Sequence, residues 1–273
     1  VKAVPFLLED TMKLQAKLPL YPEVFRLSKV FKQAGYELMV VGGAVRDFLM
    51  MGESFEPKDI DLATNANPEQ VKSILDAAGL VNRPQGESFG VWIARVGFME
   101  FEIATFREDG EYSDGRRPDS VVFSTAEKDY ARRDLTINGL FYDIPEEEDV
   151  IGEIIDFGGG IGFEDVKNQV VRTIGEPMDR FAEDKLRVAR AVRFHCRYNK
   201  SPISVLGDKM LEAIHHFRDL RKHGVSGPRI HQEFLAGFKQ SIKTSDYLKA
   251  YHDLRLMPAV FGDLEVCMKD IDA

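Results

Sequence analysis

The chain has 273 residues, 44% of them hydrophobic and 30% charged, a composition typical of a globular protein with room for one large or two small domains. No apolar run approaches the ~20 residues of a membrane span, no secretory signal pattern opens the chain, and Cys196 and Cys267 form neither a metal spacing nor a disulfide framework. A cytosolic compartment without a membrane partner is therefore the default expectation. The net charge of -9 argues against a polynucleotide partner only as an average: residues 1–160 hold 17 Lys+Arg against 29 Asp+Glu, whereas 161–260 hold 18 against 12, and a local basic region is what attracts a phosphate backbone.

Residues 1–36 read as amphipathic helix, as in PEVFRLSKVFKQAG, with Gly35 as a helix stop. YELMVVGG reads as a strand entering a glycine turn, and AVRDFLMMG as the start of a helix. DIDLAT is predicted as a second strand, and NPEQVKSILDAAG as a capped helix ending in glycine. FGVWIARVGFMEFEIATFR alternates as a hairpin turning near Gly97. Beyond DFGGGIG the helical period dominates, in GEPMDRFAEDKLRVARAVRFHCRY, SVLGDKMLEAIHHF, GPRIHQEFLAGFKQS and a segment from Ser245. The expected organisation is a mixed α/β domain over 1–160 followed by an all-α domain over 161–273.

In an extended KDIDLAT, Asp59 and Asp61 share one face and Ile60 and Leu62 the other. An isolated acidic pair of this kind is more often a solvated edge. Here it follows VVGGAVRD, where a strand, two glycines and a helix start offer free backbone N–H groups to an anion. Glycines serve tight packing as well, but an anion cradle beside paired carboxylates suits a metal-bound triphosphate, with two divalent ions neutralising the aspartates. Glu102, in FEIATFR, is either an exposed-face residue or a third carboxylate of that site. In ARRDLTINGLFYD, Arg132, Arg133 and Asp134 read as a salt-bridged helix start or as donors and acceptors for phosphate and ribose.

AEDKLRVARAVRFHCRYNK places Glu183, Arg187, Arg190, Phe194 and Arg197 on one side of a continuous helix, with Asp184 beside Arg187 and with Val188, Ala189, Val192 and Cys196 opposite. The polar side is a solvated face or something more selective. Asp184 only accepts hydrogen bonds and Arg187 only donates. That pair fits the pairing edges of cytosine and adenine, each an amino donor beside a ring-nitrogen acceptor, and mismatches uracil and guanine.

Together, VVGGAVRDFLM…KDIDLAT, FEIATFREDGEYSDGRRPDSVVF, RRDLTINGLFYD, IDFGGGIGFEDVKNQVVRTIGEPMDRF and EDKLRVARAVRF resemble, in order, the motifs of class II tRNA nucleotidyltransferases, the CCA-adding enzymes, over roughly residues 25 to 240. The resemblance implies a polymerase-β-like nucleotidyltransferase head, a small mixed sheet with helices, followed by a helical neck and body. It implies addition of C, C and A to the tRNA 3′ end from CTP and ATP, with two Mg²⁺ ions at Asp59 and Asp61 and Glu102 as the further catalytic carboxylate. Gly42, Gly43 and Arg46 would engage the triphosphate with Arg190 and Arg193, Arg132 and Asp134 would select ribose, and Asn138 belongs to the same nucleotide-binding set. Glu183, Asp184 and Arg187 match the family's base-selecting element. The sequence departs from the family in its short region after GPRIHQEFLAGF, in Pro228 and in the acidic IPEEEDVIGEIIDFGGGIG connection, which bear on how tRNA docks. A poly(A) polymerase, a CC-only or A-only enzyme and a non-catalytic tRNA-binding module are the alternatives.

Overall fold

A computed structural model of the chain describes residues 11–85, 90–110, 120–198 and 206–262. They divide into two units, one reaching Lys167 and one beginning at Asn168.

The first unit is built on an eight-stranded mixed sheet. Its strands are β1 (Met12–Ala16), β2 (Leu38–Val41), β3 (Asp61–Thr64), β4 (Val81–Pro84), β5 (Val91–Val96) and β6 (Met99–Thr105), followed after a small separate hairpin of β7 (Arg107–Asp109) and β8 (Val121–Phe123) by β9 (Leu140–Asp143) and β10 (Gly152–Asp156). The order across the sheet is β1-β10-β9-β2-β3-β6-β5-β4, with β3 and β6 parallel and every other neighbouring pair antiparallel. Central β2 is buried along its whole length, so its sequence is the unbroken apolar run LMVV rather than an alternation. The β5–β6 hairpin turns at Gly97, which holds φ at +61°.

Helix α1 (Pro22–Gln33) starts on a proline suited to its first turn and buries Val24, Leu27 and Phe31, each such side chain contributing about 1.5–3 kcal/mol by leaving water. Gly35, at φ +83°, ends it as expected. The first stretch differs from expectation: Met12–Ala16 is an edge strand paired with β10, Met12 opposite Asp156, and its helix-like spacing carried no local turn to sustain it. Residues 1–10 lie outside the described residues. Helix α2 (Gly43–Met51) follows β2 directly, and α3 (Pro68–Ala77) opens with a capping box in which Asn67 and Gln70 satisfy each other's backbone N–H groups. Helix α4 (Ala126–Ala131) precedes a short 3₁₀ turn, Thr136–Asn138.

The division falls at Lys167 rather than near residue 160 because α5 (Ile161–Asn168) is bound to the sheet. Buried Asp156, at the end of β10, accepts hydrogen bonds from the N–H groups of Gly158, Gly162 and Phe163 at the start of that helix, and Thr136 donates to Asp165 within it at 2.6 Å.

The second unit is helical among its described residues: α6 (Pro177–Glu183), α7 (Leu186–Tyr198), α8 (Asp208–Phe217), α9 (Gly227–Gln240), α10 (Thr244–Asp253) and α11 (Met257–Phe261). Helix α7 is its axis, packed mainly on α9. At Gly237 on α9 the Tyr247 ring lies 2.3 Å from where a Cβ would stand, so this close approach of α9 and α10 requires glycine. Burial pushes the Tyr247 and Tyr251 phenols above their ordinary range and the Cys196 thiol up to about 12, which makes this cysteine an inert core residue.

Candidate active site

At the N-terminal end of β3 the expected alternation holds, although the strand begins only at Asp61: Asp59 and Asp61 are exposed while Ile60 and Leu62 are buried. The approach to the strand is held by Tyr21, whose hydroxyl donates to the Pro57 carbonyl. Leu62 pairs in register with Ile103 of the parallel strand β6, so Asp61 and Glu102, one residue earlier on each strand, lie side by side on the opposite face. These residues border a cleft of about 300 Å³ lined by Tyr21, Lys58, Asp59, Ile60, Asp61, Met99, Glu100, Phe101 and Glu102. Asp61 is exposed as a whole residue, yet the cleft walls partly dehydrate its carboxyl. That desolvation raises its pKa, the Glu102 and Asp59 charges add to the rise, and Arg133 opposes it.

Glu102 Oε1 accepts from Gln85 Nε2 at 2.9 Å. Among the described residues no three His, Cys, Asp or Glu side chains stand so that they could hold one metal ion together, and Asp59, Asp61 and Glu102 are not such a set. An all-oxygen pair of exposed aspartates nevertheless fits Mg²⁺, which takes one or two carboxylates and completes its shell with water and substrate phosphate.

The glycine turn follows Val41, which pairs in register with Asp61. Gly42 takes φ +70°, and its own N–H is spent on the Leu140 carbonyl at 2.9 Å. The donors left for an anion are therefore those of the first turn of α2 from Gly43 onward, not that of Gly42. Arg46 differs from its expected place. It is 4% exposed, and its guanidinium donates to Asp47 and to the Asn138 side chain, so it braces the turn from within. A fixed charge at that depth requires such partners.

The organiser of this region is Asp129, a residue the sequence reading passed over. It is 1% exposed, and its two oxygens take a fork of donors each: Arg132 Nε and Nη2 at 2.8 and 2.6 Å, Arg133 Nε and Nη2 at 3.0 and 2.9 Å. Burial would raise its pKa, but Arg133 and Arg132 more than offset that and hold it below the ordinary carboxylate range. Arg133 also donates to the Asn138 carbonyl at 3.4 Å, stacks over Phe141 at 4.7 Å and acts on Asp61. Arg132 donates to the Arg107 carbonyl as well, and Asp134 accepts from the Leu135 N–H and from Asn138, so these two order the segment in which they stand. The signal was legible: KDYARRD sets Asp129 three and four residues ahead of the two arginines.

In the helical unit the continuous helix expected through AEDKLRVARAV is broken. Asp184 is extended at φ -139°, ψ 108° between α6 and α7, and its Oδ1 accepts from the Leu186 N–H at 3.0 Å, which starts the new helix. Two of the three base-selecting candidates meet across the break, where Arg187 Nη1 donates to Glu183 at 2.6 Å and to the Arg180 carbonyl at 3.1 Å; the third, Asp184, accepts on Oδ2 from Arg229 Nη2 at 2.8 Å. Arg190 is half-exposed and lies over Phe194. Phe194, expected on the polar side, is buried at 4%. Arg193, expected at the phosphates, is 8% exposed and bound to Glu233 and Gln240 of α9. Its partners are far along the chain, and α7 is wrapped by neighbours on more sides than its periodicity shows.

This fold and these residues define a nucleotidyltransferase head followed by a helical unit. Residues 38–172 match the poly A polymerase head domain. The CCA-adding enzyme of Lactobacillus helveticus is 36% identical over 224 residues, 80% of this chain and 51% of that protein. The crystal structure of the Bacillus stearothermophilus CCA-adding enzyme in complex with CTP superposes with a TM-score of 0.69 at 30% identity, covering 89% of this chain and 55% of that one. A tRNA nucleotidyltransferase complexed with a primer tRNA and an incoming ATP analog gives 0.64 at 25% identity, covering 88% and 62%. The chain belongs to the class II tRNA nucleotidyltransferase family, that of the CCA-adding enzymes. It spans about half the length of the curated relatives it matches.

No helix among the described residues is long and apolar enough to cross a membrane.

Proposed function

We propose that the protein adds C, C and A to the 3′ end of tRNA from CTP and ATP, without a nucleic-acid template. The observation that carries the reading is the exposed pair Asp59 and Asp61 beside Glu102, on the same sheet as a glycine turn that opens a helix. When bound, Mg²⁺ ions held by Asp59 and Asp61 supply neutralisation of charge on the oxygens of an in-line displacement. The N–H groups at the start of α2 hold the triphosphate, and Arg133, fixed by Asp129, adds positive charge next to Asp61. The tRNA 3′-hydroxyl releases its proton to water as its oxygen bonds to the α-phosphorus, the bond from that phosphorus to the oxygen bridging to the β-phosphate breaks, and pyrophosphate leaves with that oxygen. Arg132 and Asp134 are assigned to the ribose, Arg190 to phosphate, and Asp184 and Arg187 to the amino and ring-nitrogen groups shared by cytosine and adenine. The protein contributes positioning and charge. The cytosol is the compartment we assign to it.

Purified protein incubated with Mg²⁺, a tRNA lacking its terminal triplet and each nucleotide in turn tests this. Ordered C, C and A are expected. Runs of A would make it a poly(A) polymerase, C, C alone or A alone a partial enzyme, and no incorporation a binding module.

A further inference from the structure

The two groups assigned to the base edge are not held in the same way. Arg187 is held within its own segment, by Glu183 and the Arg180 carbonyl. Asp184 is held from 45 residues away, by Arg229 in the first turn of α9. Both oxygens of Asp184 have a fixed donor, the Leu186 N–H on Oδ1 and the Arg229 guanidinium on Oδ2, and two donors on two oxygens fix the plane of the carboxylate. Each oxygen keeps a further lone pair for a base. One turn along α9 from Arg229, Glu233 ties α7 through Arg193. Helix α9 thus grips α7 at its start and near its middle, and the grip at the start is on a group assigned to read the substrate.

We infer that Arg229 is a positioning residue for base choice, setting the orientation in which Asp184 meets the exocyclic amino group of the incoming nucleotide. The inference rests on the base-edge assignment made above. With Arg229 gone, the carboxylate turns about its own axis on the Leu186 N–H alone, and the geometry that separates an amino donor from a carbonyl is lost. A lysine places charge at this site without the planar fork, and so restores part of the effect.

Equilibrium binding of CTP, ATP, UTP and GTP to the 273-residue chain tests this without requiring turnover. Arg229→Gln is expected to reduce the CTP-over-UTP preference by about tenfold, the order of one lost charge-assisted hydrogen bond. Arg229→Lys is expected to recover part of it, and in an Asp184→Asn background Arg229→Gln should change the preference no further. Thermal unfolding of the same samples identifies a variant that has lost its fold, and Arg229→Lys, which keeps the charge, then carries the test. The inference is overturned if Asp184→Asn relaxes the preference while Arg229→Gln and Arg229→Lys leave it intact, or if the Arg229→Gln effect adds fully to that of Asp184→Asn. If neither Asp184→Asn nor Arg187→Ala alters the preference, it is the base-edge assignment itself that falls.

Discussion

The two units treat charge in opposite ways. At the sheet, Asp59 and Asp61 stand exposed with like charges as neighbours, countered at Asp61 by Arg133. In the helical unit, Glu183, Asp184 and Arg187 are bound in ion pairs within the protein. An ensemble of acids left short of cations is suited to receive metal and triphosphate, because incoming positive charge relieves the repulsion. A set of donors and acceptors already paired is suited to discrimination, because its geometry is set before a base arrives.

That contrast can be broken at its charged end first. Asp61→Ala is expected to lower nucleotidyl transfer on the order of 10³-fold, the scale of a lost electrostatic contact at the reacting phosphate. The same change should move the thermal midpoint by no more than about 2 °C, since it deletes an exposed side chain. Asp129→Ala should do the reverse in kind: by stranding Arg132 and Arg133 it is expected to cost about 3–5 kcal/mol of stability in urea unfolding, with any loss of transfer following from that. Gly237→Ala sharpens the helical side, as a methyl driven into the Tyr247 ring should cost about 1–3 kcal/mol while head-domain cation binding is unchanged. Arg187→Ala should relax the preference for C and A over U and G by about tenfold, the scale of one lost charge-assisted hydrogen bond, and spare metal binding.

The smallest expected effect is a pH dependence. Because Asp129 has a lower pKa folded than in an unfolded chain, where it is about 3.9, its contribution to stability is complete above that value and is lost as pH falls through the lower folded one. Asp129→Asn should therefore flatten the acid limb of the stability curve relative to the parent. An unchanged acid limb would show that other carboxylates govern it.

What could be read from the sequence was what local physics decides. The capped start of the helix in NPEQVKSILDAAG, the Gly97 turn and the alternation around Asp61 and Glu102 are all settled within a few residues, and the structure has them where the sequence puts them. Strand β1 is not legible in the sequence because its pairing partner β10 is about 140 residues away, and its exposed residues give no alternation to betray it. The interruption at Asp184 hid inside a helical period that continues on both sides. Its only local sign was an aspartate able to cap the next helix. In the sequence Arg46, beside a glycine turn, and Arg193, on a basic helix, look available to phosphate. Their partners, Asn138 and Glu233, are brought by folding from 92 and 40 residues away.

On the proposed function, Asp59 and Asp61 together seat the divalent cation that accompanies the nucleotide. The most direct test is Mn²⁺ binding in the presence of CTP, followed by electron paramagnetic resonance, in the parent chain and in Asp59→Asn with Asp61→Asn. Saturable binding in the parent that is lost in the double variant is the predicted result, whereas equal affinity in both would place the metal elsewhere.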